Sequence, residues 1–313
     1  MFKNAHMKTL DWDGLRYFLE VARTQRVSAA AVRLGVEHTT VARRIRQLET
    51  QLDTLLFDKS RSSGFVLTAA GHELLAHVEQ MESQLFNARE KVTGVGESLS
   101  GHIRVAATEG FGSYIITPLS MQFRQQYPDI TLDVLPVPRF VSLTRREADI
   151  AITIERPSRG PYVCSKLCDY SLMLYGTREY LQNHAPIRHQ DDLRFHPGIS
   201  YVEELIYSDQ LRYLEDVLPL NNVVFKSTSI IAQYYACLQG QALAILPCFM
   251  AAQNPHLVAI LPEDIHVQRS FWMYFHEDLK RLKRITAFCD FVRSVVERNA
   301  GLMKGTSKAL FVF

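Results

Sequence analysis

The spacing of apolar residues changes near residue 100, and this change limits what the chain can fold into. Before it, apolar side chains recur every three or four positions, as they do in amphipathic helices. After it, short apolar runs such as "HIRVAA", "ITLDVLP" and "DIAITI" alternate with helix-like stretches. Strands that alternate with helices favour a parallel sheet with right-handed crossovers. The sequence therefore predicts a helical N-terminal region followed by an α/β region.

Composition excludes few classes by itself. The chain has 313 residues, of which 47% are hydrophobic, and its formal net charge is only +2. We find neither a run of 18 apolar residues nor a secretory signal, so we expect no membrane partner. Five cysteines form no regular framework, which suits reduced thiols and a cytoplasmic location. The charge is uneven, because residues 22–46 hold six arginines and one acidic residue.

The first fifty residues predict three helices. Leu15, Phe18, Leu19 and Ala22 lie on one face of the first helix. Ser28 is predicted to cap a short second helix, and Gly35 follows its last apolar residue, where a left-handed turn favours glycine. A third helix is predicted from about residue 38 to 49, with these residues facing inward: Val41, Ile45 and Leu48.

The outer face of the third helix carries polar and basic side chains. Opposite the apolar stripe lie Thr39, Arg43, Arg46 and Gln47, with Thr40 on the flank. Two short helices joined at a glycine, the second presenting Thr and Arg, are typical of a helix-turn-helix that enters a DNA major groove. The alternative is a solvated arginine face on a small helical bundle.

A basic turn and a long helix follow. Lys59 and Arg61 lie in a serine- and glycine-rich loop before a short strand at 65–67, which predicts a wing along the DNA backbone. Beyond Thr68, apolar residues recur at heptad spacing, which favours pairing with a second helix, although packing on the chain's own body is the alternative. We expect this helix to fray near residue 93. The seam consists of Leu74, Val78, Met81, Leu85, Ala88, Val92, Val95 and Leu99.

The stretches "FLEVARTQRVSAAAVRLGVEHTTVARRIRQLETQLDTLLFDKS" and "VLTAAG" resemble the LysR-type transcriptional regulators. Further along, "READIAI" and "GQALAILPCFM" match segments of the same family's effector domain, so the resemblance covers nearly the whole chain. Two departures affect operator preference. Glu37-His38 replaces the family's frequent Ser-Gln, and Ala42 replaces a common serine.

The resemblance implies an α/β fold class with three parts. These are a winged helix-turn-helix over 9–67, a dimerising linker helix and hinge over 68–99, and a two-lobed, periplasmic-binding-protein-like effector domain over 100–300. Lobe I spans about 100–172 and 273–300, and lobe II about 173–272. It also implies a bacterial regulator, double-stranded operator DNA as a partner, and a dimer or dimer of dimers. The candidate DNA contacts are Ser28, His38, Thr39, Thr40, Arg43, Arg46, Gln47, Lys59 and Arg61.

The effector site is predicted from strand ends. In open α/β sheets, ligands bind at the carboxyl ends of strands, next to helix N-termini. Here the hydroxyl residues are equally explained as helix caps. An acid at position 109 would repel a carboxylate or bind an amine, and compensation of its charge by Arg139 is the alternative. The candidate effector contacts, which correspond to the family's pocket between the lobes, are Thr108, Glu109, Arg139, Tyr201, Ser227, Thr228 and Ser229.

Enzyme motifs are missing from the sequence. We find no Walker A or G-x-S-x-G motif, "GFGSYI" lacks the third glycine of a dinucleotide site, and no metal or cofactor site is expected. Buried structural cysteines are more common than redox switches, so we expect structural roles for four cysteines, with a redox switch as the alternative. These are Cys164, Cys168, Cys237 and Cys248. We expect "GLMKGTSKALFVF" to be a loosely held extension. A rival interpretation is a solute-binding protein with an N-terminal interaction domain, and an enzyme on an α/β scaffold is the third.

Overall fold

The computed structural model of the chain describes residues 11–58, 64–93, 99–137, 148–212 and 222–311. The chain divides into two compact units, residues 1–96 and 97–313. Within the described ranges, no helix is long and apolar enough to cross a membrane.

The first unit begins with the three expected helices, α1 (Trp12–Thr24), α2 (Val27–Leu34) and α3 (His38–Leu52). The chain reverses between them at residues in the left-handed region, Gln25 (φ 56°) and Gly35 (φ 67°). The predicted inward residues of α1 and α3 are buried and form one apolar core. The amphipathic pattern therefore identified the helices and their inner faces correctly.

The prediction that Ser28 caps the second helix is wrong. Arg26 holds the N-cap position in extended backbone, and its carbonyl accepts a 3.0 Å hydrogen bond from the N–H of Ala30. Because the chain already turns at Gln25, α2 begins at Val27, one residue before Ser28. Ser28 therefore lies in the first turn of α2 with an exposed side chain.

Two short strands and a long helix complete the first unit. β1 (Phe57–Asp58) pairs antiparallel with β2 (Val66–Leu67). The helix α4 (Ala69–Thr93) follows, and the hydroxyl of Thr68 accepts a 3.0 Å hydrogen bond from the N–H of Gly71. This side chain satisfies one of the free donors of the first turn.

The heptad seam of α4 has two different environments. Leu74 packs against the core of the first unit, and Val78 is fully buried in it, so packing on its own body accounts for these positions. The side chains of Met81 and Leu85 are 45% and 50% exposed. Leu99 packs on the core of the second unit and is not part of the seam. Residues 88, 92 and 95 lie outside the described side chains.

The second unit contains one mixed sheet. Its described strands, in spatial order β4-β3-β5-β11-β6-β9-β7-β8 with β10 beside β6, are β3 (Gly101–Thr108), β4 (Ile130–Val137), β5 (Ile150–Thr153), β6 (Tyr162–Thr177), β7 (Gly198–Ser200), β8 (Val223–Lys226), β9 (Leu243–Pro247), β10 (Leu257–Ile260) and β11 (His266–His276).

The sheet is mixed, and the predicted parallel pairing holds within two groups of strands. We call β4, β3 and β5 the first strand group and β8, β7 and β9 the second, and each group is internally parallel. Between them, β6 and β11 run antiparallel from the pair His266–Met173 to the pair His276–Tyr162. The two long strands link the groups because β5 pairs with β11 and β9 pairs with β6.

Helices cover the sheet of the second unit. Residues 140–147 of the helix predicted after β4 lie outside the described residues. The last long helix begins at residue 283 instead of 278, because Leu282 is extended and a 3₁₀ turn precedes it. The described helices are α5 (Glu109–Phe111), α6 (Thr117–Gln126), α7 (Arg178–Asn183), α8 (Ile230–Leu238), α9 (Cys248–Ala251), α10 (Lys283–Arg298) and α11 (Ala300–Lys304).

The C-terminal tail is not a loose extension. Leu302 and Met303 in α11 are fully buried in the core of the second unit. The side chain of Asn299 accepts a 2.7 Å hydrogen bond from the N–H of Phe311 and donates a 3.1 Å bond to its carbonyl. These apolar side chains add buried area to the core, which offsets the cost of ordering the tail.

Candidate nucleic-acid interface and ligand cleft

The outer face of α3 carries the side chains predicted from the sequence. His38, Thr39, Arg43, Arg46 and Gln47 are exposed, and Thr40 is half-buried. This face lies opposite the buried stripe formed by Val41, Ile45 and Leu48. An exposed helix face that presents hydroxyl, amide and guanidinium groups has the donors needed for phosphates and base edges.

The arginines of the first unit fall into two classes. Arg44 lies 3.5 Å from a carboxylate oxygen of Asp11 and 3.3 Å from one of Asp13. Arg23 forms a bidentate pair with Glu82 on α4, with distances of 2.7 and 3.2 Å. These arginines are held by acids of their own unit and contribute to folding.

The second class has no such partner. Among the described residues, no carboxylate pairs with Arg43, Arg46 or Arg26. Arg46 donates only to the carbonyl of Ala42 on its own helix, at 3.4 Å. Two uncompensated guanidinium groups therefore lie on the exposed face of α3. Such groups are available to a polyanion, whereas paired ones must first lose their partners.

Glu49, which the sequence analysis did not single out, connects α3 to the strand that leads into the wing. Its side chain is 6% exposed, and its Oε1 atom accepts hydrogen bonds from the N–H groups of Leu56 (3.0 Å) and Phe57 (3.2 Å). The sequence signal for this contact is a glutamate on the apolar side of a predicted helix, because a glutamate is rarely buried there without a partner. The predicted wing contacts Lys59 and Arg61 lie outside the described residues.

The second unit contains a cavity of about 50 Å³ between the two strand groups. Its walls include residues at the carboxyl ends of five strands, which agrees with the rule for open α/β sheets. The residues that line it are Thr108, Glu109, Gly110, Phe111, Ile154, Tyr170, Leu172, Tyr201, Tyr207, Leu211, Thr228, Ile230, Pro247, Phe249 and Phe271.

The structure separates the predicted effector residues. Thr108, Glu109, Tyr201 and Thr228 line the cavity. Ser227 and Ser229, which are not among its lining residues, cap backbone groups. The Ser227 hydroxyl accepts from the N–H of Ser229 (3.1 Å), and the Ser229 hydroxyl accepts from the N–H of Ala232 (3.0 Å). Arg139 lies outside the described residues.

Glu109 connects the two strand groups. It follows β3 of the first group, whereas Ser229 and Ile230 form the start of α8, after β8 of the second group. The Ser229 hydroxyl donates to Glu109 Oε1 at 2.8 Å, and the N–H of Ile230 donates to Oε2 at 3.0 Å. The carboxylate therefore occupies the anion-binding position at the N-terminus of α8.

Aromatic rings form much of the cavity wall. Phe271 stacks on Tyr170 with a centroid distance of 4.2 Å and lies equally close to Phe111. Phe249 meets Phe111 edge-on at 5.6 Å. Tyr170 and Phe271 come from the long antiparallel strands, so the rule for the ends of parallel strands does not identify them. Phe249 follows the end of β9, so it satisfies that rule although the sequence analysis did not name it.

Tyr207, which lines the cavity, lies near two carboxylates, those of Glu109 and Glu155. Burial, together with the negative charges of Glu109 and Glu155, raises the pKa of Tyr207 to about 12. The Ser208 hydroxyl donates a hydrogen bond to the Glu155 carboxylate. Tyr207 is therefore a neutral hydrogen-bonding group at physiological pH, in negatively charged surroundings.

The cysteines do not form a reactive site in the described structure. Burial raises the pKa of the Cys168 and Cys237 thiols to about 12, and it also raises the pKa of Cys164 and Cys248. High pKa values disfavour the reactive thiolate. The positions of Cys164 and Cys168, four residues apart along extended β6, put their Cα atoms beyond disulfide distance. Among the described residues, no group of His, Cys, Asp or Glu is suited to hold a metal.

Both units match families of known proteins. Residues 12–72 match the bacterial regulatory helix-turn-helix protein of the lysR family, and residues 96–297 match the LysR substrate binding domain. The chain belongs to the LysR family of transcriptional regulators. Its two parts are accordingly a helix-turn-helix DNA-binding domain and a substrate-binding domain, which confirms the predicted fold class and function.

Individual LysR-type relatives are distant. The chain is 25% identical to the regulator PtxR of Pseudomonas aeruginosa over 297 residues. The aligned region covers 92% of this chain and 94% of PtxR. It is 31% identical to DgdR of Burkholderia cepacia over 156 residues, about half of each chain (49% and 52%). Both relatives are HTH-type transcriptional regulators.

Solved structures share the fold. A full-length OxyR variant from Pseudomonas aeruginosa superposes with a TM-score of 0.66 and 20% identity, covering 91% of this chain and 95% of that one. ArgP from Mycobacterium tuberculosis has a TM-score of 0.63 and 20% identity, covering 95% and 100% of the two chains.

Proposed function

We propose that this LysR-type regulator contacts operator DNA through the exposed face of α3. The contrast between neighbouring arginines carries this proposal. Arg44 is paired with Asp11 and Asp13, whereas Arg43 and Arg46 face outward without a carboxylate partner among the described residues. Because two arginines of α3 keep an uncompensated positive charge on its exposed face, the helix can bind the phosphates that line a DNA groove. Ser28, His38, Thr39, Thr40 and Gln47, with Lys59 and Arg61 in the wing, complete the proposed contact set.

The proposed DNA-binding form is a dimer joined through α4. Met81 and Leu85 lie one helical turn apart and remain about half exposed, beyond Val78, the last described residue of α4 that is buried in the apolar core of its own unit. A second α4 that covers these side chains would bury apolar area and place two recognition helices on a dyad-symmetric site. We extend the proposal to a dimer of dimers. Sedimentation of the purified protein with and without operator DNA distinguishes the two assemblies.

In the substrate-binding domain, the proposed effector site is the cavity between the strand groups. A small molecule there contacts residues of both groups, including Thr108, Glu109, Tyr201 and Thr228. A ligand that binds one relative orientation of the groups better shifts the population towards it. We propose that this shift changes the spacing of the DNA-binding heads and hence promoter activity.

The test of the DNA contact compares Arg43→Ala with Arg44→Ala. Fragments captured from genomic DNA by the purified protein provide the operator, and affinity is then measured over a salt series. We expect Arg43→Ala to weaken binding about tenfold and to reduce the salt slope by about 0.9, the value for one phosphate contact.

Arg44→Ala is the matched control, because it removes the same side chain from the next residue of the same helix. We expect it to lower the stability of the first unit and to leave the salt slope unchanged. An unchanged salt slope and affinity for Arg43→Ala would refute the groove assignment. Uniform binding to all captured fragments would favour the rival solute-binding interpretation.

A further inference from the structure

The cavity contains an unusual internal anion. Glu109 accepts hydrogen bonds from the Ser229 hydroxyl and the Ile230 N–H at the start of α8, 2.8 and 3.0 Å away. This is the position at which a helix N-terminus would otherwise hold the carboxylate of a ligand. Since both donors are engaged by the chain itself, a carboxylate ligand would have to displace Glu109 and share the cavity with a like charge.

Among the described lining residues, the formal charge of the cavity has one sign. Among its described lining residues, Glu109 is the only one with a formal charge, because the others are aliphatic, aromatic, hydroxyl-bearing or glycine. The nearby Glu155 adds a second negative charge, which is felt at Tyr207. The described wall therefore supplies no cationic side chain to compensate an anionic ligand, and two carboxylates attract a cation.

Spare acceptors and aromatic rings suit an ammonium group. A carboxylate offers about four acceptor positions, and the two bonds to α8 leave others for a bound N–H donor. The rings of Phe111, Tyr170 and Phe271 line the same cavity. The faces of aromatic rings attract cations, and the rings offer apolar surface to an alkyl group.

The volume of the cavity admits a ligand. The cavity, at about 50 Å³, exceeds the space that a single water needs. The described cavity therefore has room for a small organic molecule.

We infer that the cleft binds a small organic ammonium ion, and that Glu109 excludes carboxylate ligands by occupying the N-terminus of α8 itself. The inference rests on the proposed function, because it assigns a ligand class to the proposed effector site. Binding is electrostatic and reversible, with the ammonium donating to free positions of the Glu109 carboxylate. The ligand therefore contacts the group that connects the two strand groups.

Calorimetric titration of the full-length protein tests this ligand class. The probes are ethylammonium chloride, sodium acetate and neutral acetamide, each against sodium chloride at equal ionic strength. We expect ethylammonium to bind with a dissociation constant on the order of 1 mM, which is near the limit for so few atoms. Acetate and acetamide should give at least tenfold weaker binding.

Two variants at one position separate a ligand contact from a structural role. Glu109→Gln keeps an acceptor for α8 but removes the charge, and should weaken ethylammonium at least tenfold. Glu109→Ala frees the N–H of Ile230 and should acquire acetate binding, which a purely structural role would not produce. Glu263→Gln, the same change at an exposed residue outside the cavity, is the control and should behave like the parent. Thermal unfolding verifies that each variant is folded.

The outcomes decide between the hypotheses. Absent ethylammonium binding, equal binding of acetate by the parent protein, or unchanged ethylammonium affinity in Glu109→Gln would each overturn the ligand class. Operator affinity, measured on the same samples, tests the proposed function separately. If ethylammonium binds through Glu109 without changing the operator complex, the ligand class holds and the effector role fails. If operator binding responds to acetate alone, the effector role holds and the ligand class fails.

Discussion

Replacing Glu49 by alanine should lower the free energy of unfolding of the first unit by more than a typical helix substitution does. The Oε1 atom of Glu49 accepts hydrogen bonds from the N–H groups of Leu56 and Phe57, both of which are residues with 1% exposure. Alanine leaves two buried donors without this acceptor, each at a cost of about 1–3 kcal/mol. We expect a loss of about 3 kcal/mol, because water entering the vacated space satisfies part of the deficit.

Glu49→Gln is the matched control. Its amide oxygen can accept both hydrogen bonds at the same position, whereas the charge and the second acceptor oxygen are lost. Since charge-assisted hydrogen bonds are roughly twice as strong as neutral ones, the expected cost is about 1 kcal/mol. The predicted order of stability is therefore parent, then Gln, then Ala.

Urea unfolding followed by tryptophan fluorescence measures these differences. The chain has two tryptophans, Trp12 in the first unit and Trp272 in the second. In a Trp272→Phe background the signal comes from Trp12, so the first unit is observed within the full-length protein. An alanine variant within about 0.5 kcal/mol of the parent, which is the usual range for surface substitutions, would show that Glu49 does not hold the strand.

Three further predictions concern other parts of the chain. Burial and the neighbouring His184 lower the pKa of His196 from 6.5, so the unfolded state takes up a proton first as the pH falls. Stability of the second unit should therefore be complete above pH 6.5 and decline below it, and His196→Asn should flatten this decline in pH-dependent unfolding. Leu302→Ala should cost about 2–5 kcal/mol in urea unfolding, because Leu302 is fully buried; a change below about 1 kcal/mol would mean that the tail does not belong to the core. Gly35→Ala should cost about 1 kcal/mol through its positive φ of 67°, measured with the Trp12 signal, whereas an unchanged midpoint would show that the turn can relax.

Local pattern was sufficient for the helices of the first unit. Helical periodicity places Val41, Ile45 and Leu48 on one side and Arg43 on the other wherever the helix packs, because a rotation of about 100° per residue is a property of the backbone. The same pattern could not show which seam residues of α4 are buried in their own unit. Val78 and Leu85 are one heptad apart, but only Val78 lies in the core of that unit.

The cleft was predicted in part. Thr108, Glu109, Tyr201 and Thr228 follow strand ends, and strand ends are readable from short apolar runs followed by turn residues. Tyr170 and Phe271 lie within β6 and β11, which pair across about a hundred residues of intervening chain. No local signal specifies such pairing, because register depends on which strands meet.

The sequence by itself determined the helical N-terminal region, the α/β region after residue 100, and the exposed face of α3, since each follows from local periodicity and turn chemistry. The tertiary structure decided which charged groups are paired. Arg43 and Arg44 are neighbours in the chain, yet only Arg44 reaches the acids beside α1. Glu109 meets α8 through a contact that spans 120 residues. Such pairings depend on how distant elements pack together, and spacing along the chain does not specify that packing.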